Sequence, residues 1–173
     1  MSPIEQVRWF VGIGSNLGDR LATLRSAVAA LGELPGFERV AVSSAWSTRP
    51  LGPGSGPFLN AAVELASASV GEPERLLDAL LEIERAHGRI RRERWGDRTL
   101  DLDLLAAIVD GQELTWASAR LCLPHPGAMV RDFVLRPLLE LDPDLVLAGR
   151  RCADALAEVS EPTLLDLPVA SLG

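Results

Sequence analysis

From Thr99 to Val109 the chain reads TLDLDLLAAIV, and its first half alternates leucine with aspartate. A β-strand sends successive side chains to opposite faces, so residues i and i+2 share one face about 6.7 Å apart. Leu100, Leu102 and Leu104 therefore point into a core, while Asp101 and Asp103 point the other way. The strand must lie in a sheet with one apolar face and one face that tolerates two neighbouring carboxylates. Such carboxylates repel unless a cation or an arginine sits between them. Taken alone, the alternation is the default of any half-buried strand. The residues upstream change that reading, because Arg85, Arg89, Arg91, Arg92, Arg94 and Arg98 fall within 14 positions. Guanidinium forks match phosphate oxygens. Magnesium takes one or two carboxylates and keeps water and phosphate oxygens as its other ligands. The run RWGDRTLDLD, 94–103, is expected to build a magnesium-dependent site that handles phosphates. A charge run by itself is usually a solvated face, but a basic loop that closes over a nucleotide would be both mobile and functional.

The rest of the chain narrows the setting. Its 173 residues suit one domain with a buried core. A net charge of −7 lacks the basic footprint of a nonspecific nucleic-acid binder. The chain holds no lysine, which excludes a Walker site at Gly12-Ile13-Gly14-Ser15-Asn16; spacing there favours a tight turn with a helix start at Asn16 or Asp19. Cys122 and Cys152 form no CxxC pair and are expected to be reduced thiols. The N-terminus has no signal-peptide pattern, and no segment has the roughly 18 apolar residues of a membrane span. A cytoplasmic monomer without nucleic-acid or membrane partners is expected. No Cys/His set has zinc spacing, and a lone His125 or His87 is more often structural than catalytic.

Periodicity sets the order of elements. A strand over 8–13 is followed by a helix with Leu21, Leu24, Val28 and Leu31 on one face. A strand is expected over 37–48, then a Gly/Pro loop over 49–57, then a strand over 58–65 in which Asn60 shares the side of Phe58. Pro73 opens a second helix with Leu76, Leu80 and Ile83 together, and Gly88 stops it. After the strand over 99–109 come a turn at Asp110-Gly111, a turn at Pro124-His125-Pro126-Gly127, a short helix over 130–139 broken near Pro137, and a last helix over 153–159. This order predicts an α+β fold, a ferredoxin-like, mostly antiparallel sheet with packed helices in a single domain. The domain spans 1–173, with the motifs in 8–148 and a tail over 149–173 that carries no usable motif.

Four blocks in order carry a family resemblance: GIGSNLGDR, STRPLGP with FLNAAVEL, RWGDRTLDLDLL, and LPHPGAMVRDFVLRPL. Together they resemble the 6-hydroxymethyl-7,8-dihydropterin pyrophosphokinases of folate biosynthesis. These enzymes move the intact pyrophosphoryl group of ATP onto the pterin hydroxymethyl oxygen and leave AMP. The resemblance implies the same ferredoxin-like fold, ATP as co-substrate and two Mg²⁺ ions held by Asp101 and Asp103. It implies catalytic roles for Arg89, Arg98, Asp101 and Asp103. ATP contacts are implied for Glu84, Arg91, Arg94, Trp95, His125 and Arg131, and pterin contacts for Thr48, Leu51, Phe58, Asn60 and Phe133, the two phenylalanines stacking on the ring. Asp97 stands where the signature usually has proline, and Pro126 where some members carry an aromatic residue. Two rival readings make different products: a magnesium nucleotidyltransferase would release pyrophosphate, and a noncatalytic binding module would consume no ATP.

Overall fold

The computed structural model describes residues 6–49, 56–88, 99–164 and 168–173. Strand β1 (Val7–Ser15) lies at its centre and is covered on both faces. Val7, Trp9, Val11 and Ile13 enter one apolar cluster and Phe10 enters a second. β1 pairs antiparallel with β4 (Phe58–Ser67) on one side and with β5 (Asp101–Val109) on the other. β2 (Glu38–Val42) and β3 (Trp46–Thr48) follow one another along the outer edge of β4, and β6 (Gln112–Glu113) pairs with the end of β5. The strand order is β2-β4-β1-β5-β6.

Helix α1 (Arg20–Gly32) joins β1 to β2, and α2 (Pro73–Ala86) joins β4 to β5. Each connection skips one strand, so the two crossovers interleave into the split βαβ arrangement of a ferredoxin-like sheet. Both helices cover the same face. Leu24, Ala27, Val28 and Leu31 of α1 and Leu76, Leu80 and Ile83 of α2 pack on the odd-numbered residues of β1 and on Leu100, Leu102 and Leu104. α1 starts where Asp19 accepts the Ala22 N–H at 3.0 Å. α2 starts at Pro73, whose missing N–H no helix would use, and stops at Gly88, which takes a positive φ of 74°.

The opposite face receives α3 (Asp132–Leu141) and α4 (Cys152–Ala157). Leu135, Leu138, Cys152 and Ala155 pack there against Phe10, Ala62, Leu105 and Ala106. A register shift between Phe10 and Val11 leaves Leu105 as the extra residue of β5. This bulge turns Leu105 and Ala106 to the same side, so the face that carries Asp101 and Asp103 continues into the α3–α4 core. Two short ribbons complete the chain, β7 (Trp116–Ala117) with β8 (Cys122–Leu123) and β9 (Val146–Leu147) with β10 (Arg150–Arg151).

Three sequence expectations are corrected. The strand expected to end at Ile13 runs on through Gly14 and Ser15, so Gly12 and Gly14 lie inside a central strand rather than in a turn. The single strand expected over 37–48 divides in two at Ser43. There the Ser43 N–H donates to Ala62 C=O at 2.9 Å and the Ala62 N–H donates to Ser43 Oγ at 2.8 Å, a side-chain bond where the ladder would use backbone. The helix expected to break near Pro137 continues to Leu141. Proline removes only the helical bond to the Phe133 carbonyl, and burial of Leu135, Pro137 and Leu138 holds the helix across that gap. Cys122 and Cys152 are both free thiols. No helix among the described residues is long and apolar enough to cross a membrane.

Candidate active site

The register of β1 builds the floor of the site. Gly12 lies between Ala62 of β4 and Asp103 of β5, and Gly14 lies between Asn60 and Asp101. Without side chains at Gly12 and Gly14, a trough opens on the α3 face of the sheet. A β-carbon at Gly14 would stand 2.7 Å from Asn60 Oδ1, and one at Gly12 would stand 3.2 Å from Leu105 Cδ1. Glycine inside a strand often marks a close approach of this kind.

Over that floor lies a cleft open to solvent. Asp101 and Asp103 line one side, Thr48, Arg49, Phe58 and Asn60 line the other, and Arg131, Phe133 and Val134 close it from α3. Phe58 comes from the start of β4 and Phe133 from the first turn of α3, and both are half-buried. The Asn60 amide donates to Thr48 Oγ1 at 2.6 Å, which leaves Asn60 Oδ1 over Gly14. The Arg131 guanidinium lies 6.0 Å from the centre of the Phe133 ring, within reach of a cation–π contact.

Asp101 and Asp103 share the cleft face of β5 and are both half-buried. Behind them, Glu84 is 2% exposed and its Oε1 accepts the Leu102 N–H at 2.8 Å. Glu84 thus grips the peptide between the two aspartates from the helix side, and it does not line the cleft. His125 also lies off the lining. Its backbone N–H donates to Leu105 C=O at 2.7 Å, and its Nδ1 accepts the Gly127 N–H at 3.0 Å. The neutral ring therefore carries its proton on Nε2 and presents a donor. Burial pushes the His125 pKa down, the Arg131 charge pushes it further down, and Asp101 opposes both.

Among the described residues no three or more His, Cys, Asp or Glu side chains are placed to hold a metal ion together. Two carboxylates on one face do not suit zinc, which requires three or four protein ligands. They do suit magnesium, which takes few protein oxygens and completes its shell with water and phosphate. The structure brings seven expected site residues to one cleft: Thr48, Phe58, Asn60, Asp101, Asp103, Arg131 and Phe133. Leu51, Arg89, Arg91, Arg94, Trp95 and Arg98, together with Asp97, lie outside the described residues. Gly12, Gly14, Arg49 and Val134 are lining residues that sequence reasoning missed. The two glycines within an apolar run were the available signal. Nothing local marked Arg49 or Val134.

The fold and the cleft define an α+β protein with a small-molecule site whose acidic pair is suited to a hard cation. The family model for 7,8-dihydro-6-hydroxymethylpterin-pyrophosphokinase matches residues 10–143. The chain belongs to that family. It is 42% identical to the 2-amino-4-hydroxy-6-hydroxymethyldihydropteridine pyrophosphokinase of Methylorubrum extorquens over 153 residues, 88% of this chain and 93% of that one. It is 43% identical to the protein of the same name from Mycobacterium leprae over 166 residues, 90% of this chain and 84% of the other. A solved structure described as HPPK-DHPS in complex with substrates matches with a TM-score of 0.62 at 11% identity over 88% of this chain. This chain spans 43% of that longer one, and the likeness speaks for the fold alone.

Proposed function

We propose that this chain transfers the pyrophosphoryl group of ATP to the hydroxymethyl oxygen of 6-hydroxymethyl-7,8-dihydropterin, with AMP as the second product, as a step of folate biosynthesis. Family membership supports the reaction. The single observation that supports its location is the row Asn60–Gly14–Asp101 across three strands. It sets a polar acceptor and a carboxylate at opposite ends of a flat floor, with aromatic rings at the cleft walls.

On this reading the pterin lies over Gly14 between Phe58 and Phe133. Asn60 Oδ1 and Thr48 read its polar edge, Leu51 adds a further contact, and its hydroxymethyl group points toward Asp101 and Asp103. Arg131 and the Nε2–H of His125 bind phosphate oxygens, with guanidinium forks from Arg89 and Arg98 stabilising the charge that develops. Arg91, Arg94 and Trp95 close over ATP. Glu84 acts on the nucleotide side by holding β5 in place. Asp101 and Asp103 are the residues to hold magnesium, two ions in our reading, which when bound neutralises the triphosphate and favours the ionised hydroxyl. The hydroxymethyl oxygen forms a bond to the β-phosphorus, the bond from that phosphorus to the α–β bridging oxygen breaks, and the hydroxyl proton passes to solvent. We read the protein as a monomer with a single domain over 1–173. Two free thiols support a cytoplasmic setting.

The test is to mix the protein with ATP, Mg²⁺ and reduced hydroxymethylpterin and to identify the products. AMP and the pterin diphosphate are expected. Release of pyrophosphate would mark a nucleotidyltransferase, and unchanged ATP would mark a binding module; either result overturns the reading.

A further inference from the structure

The C-terminal segment beyond α4 carries no motif, yet it is bonded to both sides of the cleft. On the helix side, Asp132 is 2% exposed and receives four donors. Its Oδ2 accepts the Thr163 N–H at 2.6 Å and the Leu164 N–H at 2.8 Å, while Oδ1 accepts the Thr163 hydroxyl at 2.6 Å and the Phe133 N–H at 2.9 Å. On the strand side, the Arg49 N–H donates to the Thr163 carbonyl at 2.9 Å, and the Arg49 guanidinium donates to the Pro162 carbonyl. Thr48 and Leu164 form an antiparallel bridge.

Three consecutive residues, Pro162 to Leu164, therefore link β3 to the first turn of α3. Thr48 and Arg49 line the cleft from one end of this link, and Phe133, adjacent to Asp132, lines it from the other. The link is not deeply buried, with Pro162 exposed and Thr163 and Leu164 half-buried. Its strength lies in charge-assisted hydrogen bonds to one buried carboxylate.

We propose that Pro162–Leu164 is a clasp, and that Asp132 and Thr163 are positioning residues that set the gap between the strand wall and Phe133. The clasp thereby sets affinity for the flat ring of the substrate. The proposal rests on the reading that this cleft takes the pterin. It assigns to the tail a role in binding the ring, since Thr48, Arg49 and Phe133 all line the cleft that takes it.

The test compares the full-length protein with Thr163→Val, Thr163→Ser and Asp132→Asn. Two dissociation constants are measured for each: ATP with Mg²⁺, and reduced hydroxymethylpterin with a non-hydrolysable ATP analogue present. Thr163→Val removes one donor to a buried carboxylate, and pterin binding is expected to weaken about tenfold, with ATP affinity unchanged. Thr163→Ser keeps the hydroxyl and should restore pterin binding. Asp132→Asn should weaken pterin binding at least as much as Thr163→Val; should it fail to fold, the two Thr163 variants decide alone. Unchanged pterin affinity in Thr163→Val, an equal loss for both ligands, or no rescue by serine overturns the clasp while leaving the functional reading intact. Failure of the unaltered protein to bind the pterin at all overturns that reading and the clasp with it.

Discussion

Asn60 Oδ1 lies over Gly14, 2.7 Å from the point a β-carbon there would occupy. The two residues face one another across the β1–β4 ladder, and the Asn60 amide is already committed to Thr48. Alanine at position 14 must therefore push Asn60 aside and disturb the bond to Thr48. Gly14→Ala is expected to raise the KM for pterin about tenfold or more, with a loss of stability of about 1–3 kcal/mol typical of overpacking. Gly12→Ala meets only the end of the Leu105 side chain at 3.2 Å and should be much milder. Steady-state kinetics and urea unfolding of the two variants check the contrast.

The paired carboxylates on β5 are expected to carry the activity. Asp101 and Asp103 share a half-buried face of the cleft. Asp103→Asn should lower AMP production by at least about 10²-fold. Product analysis of the purified variant checks this, and a variant that keeps most of its activity would remove the metal role from this residue.

Glu84 is expected to act through the strand. Its carboxylate accepts the Leu102 N–H in the buried layer between Asp101 and Asp103. Glu84→Ala leaves that N–H without this acceptor, at a cost of about 1–3 kcal/mol, and lets both aspartates drift. Glu84→Gln retains an acceptor oxygen and should recover much of the loss. Chemical denaturation alongside AMP formation tests whether the two losses run in parallel.

His125 titrates below the ordinary histidine value of 6.5, because burial and then Arg131 disfavour its charged form. A depressed folded-state pKa binds fewer protons than the unfolded chain. The stability it contributes is therefore complete above about pH 6.5 and falls as pH drops through the folded value. The direction can be checked by proton NMR of the ring. Arg131→Gln should raise the His125 pKa by removing a repelling charge, and Asp101→Asn should lower it further by removing an attracting one. Opposite shifts in the two variants are the expected outcome, and parallel shifts would contradict it.

The two thiols should differ in reactivity. Cys152 is buried and its pKa is pushed up to about 11, chiefly by burial, whereas Cys122 is exposed. Iodoacetamide on the folded protein at pH 8 should label Cys122 alone, and denaturation should expose the second. Mass spectrometry of the labelled peptides gives the answer directly.

Much of the site could be read before the fold was seen, wherever a local period carried it. The alternation from Leu100 to Leu104 announced which face the aspartates take, and the period of two placed Asn60 with Phe58. Asp19, Pro73 and Gly88 marked helix ends because each meets a local backbone need. The break at Ser43 escaped that reading, because it depends on Ala62 across the ladder. The helix through Pro137 escaped it too, since burial outweighs one missing hydrogen bond.

The amino-acid sequence by itself determined the order of the long strands and of the helices, the apolar and acidic faces of β5 and the residue types available for phosphate and pterin chemistry. It could do so because strand and helix periods act over a few neighbouring residues. Only the tertiary structure decided that Gly12 and Gly14 floor the cleft, since that follows from register with two other strands. It alone decided that Glu84 holds the strand between the aspartates. It alone brought Thr163 to Asp132, 31 positions away, and Pro162 to Arg49, 113 positions away. Those contacts are formed by elements that have no local period in common, so they exist only once the sheet has brought them together.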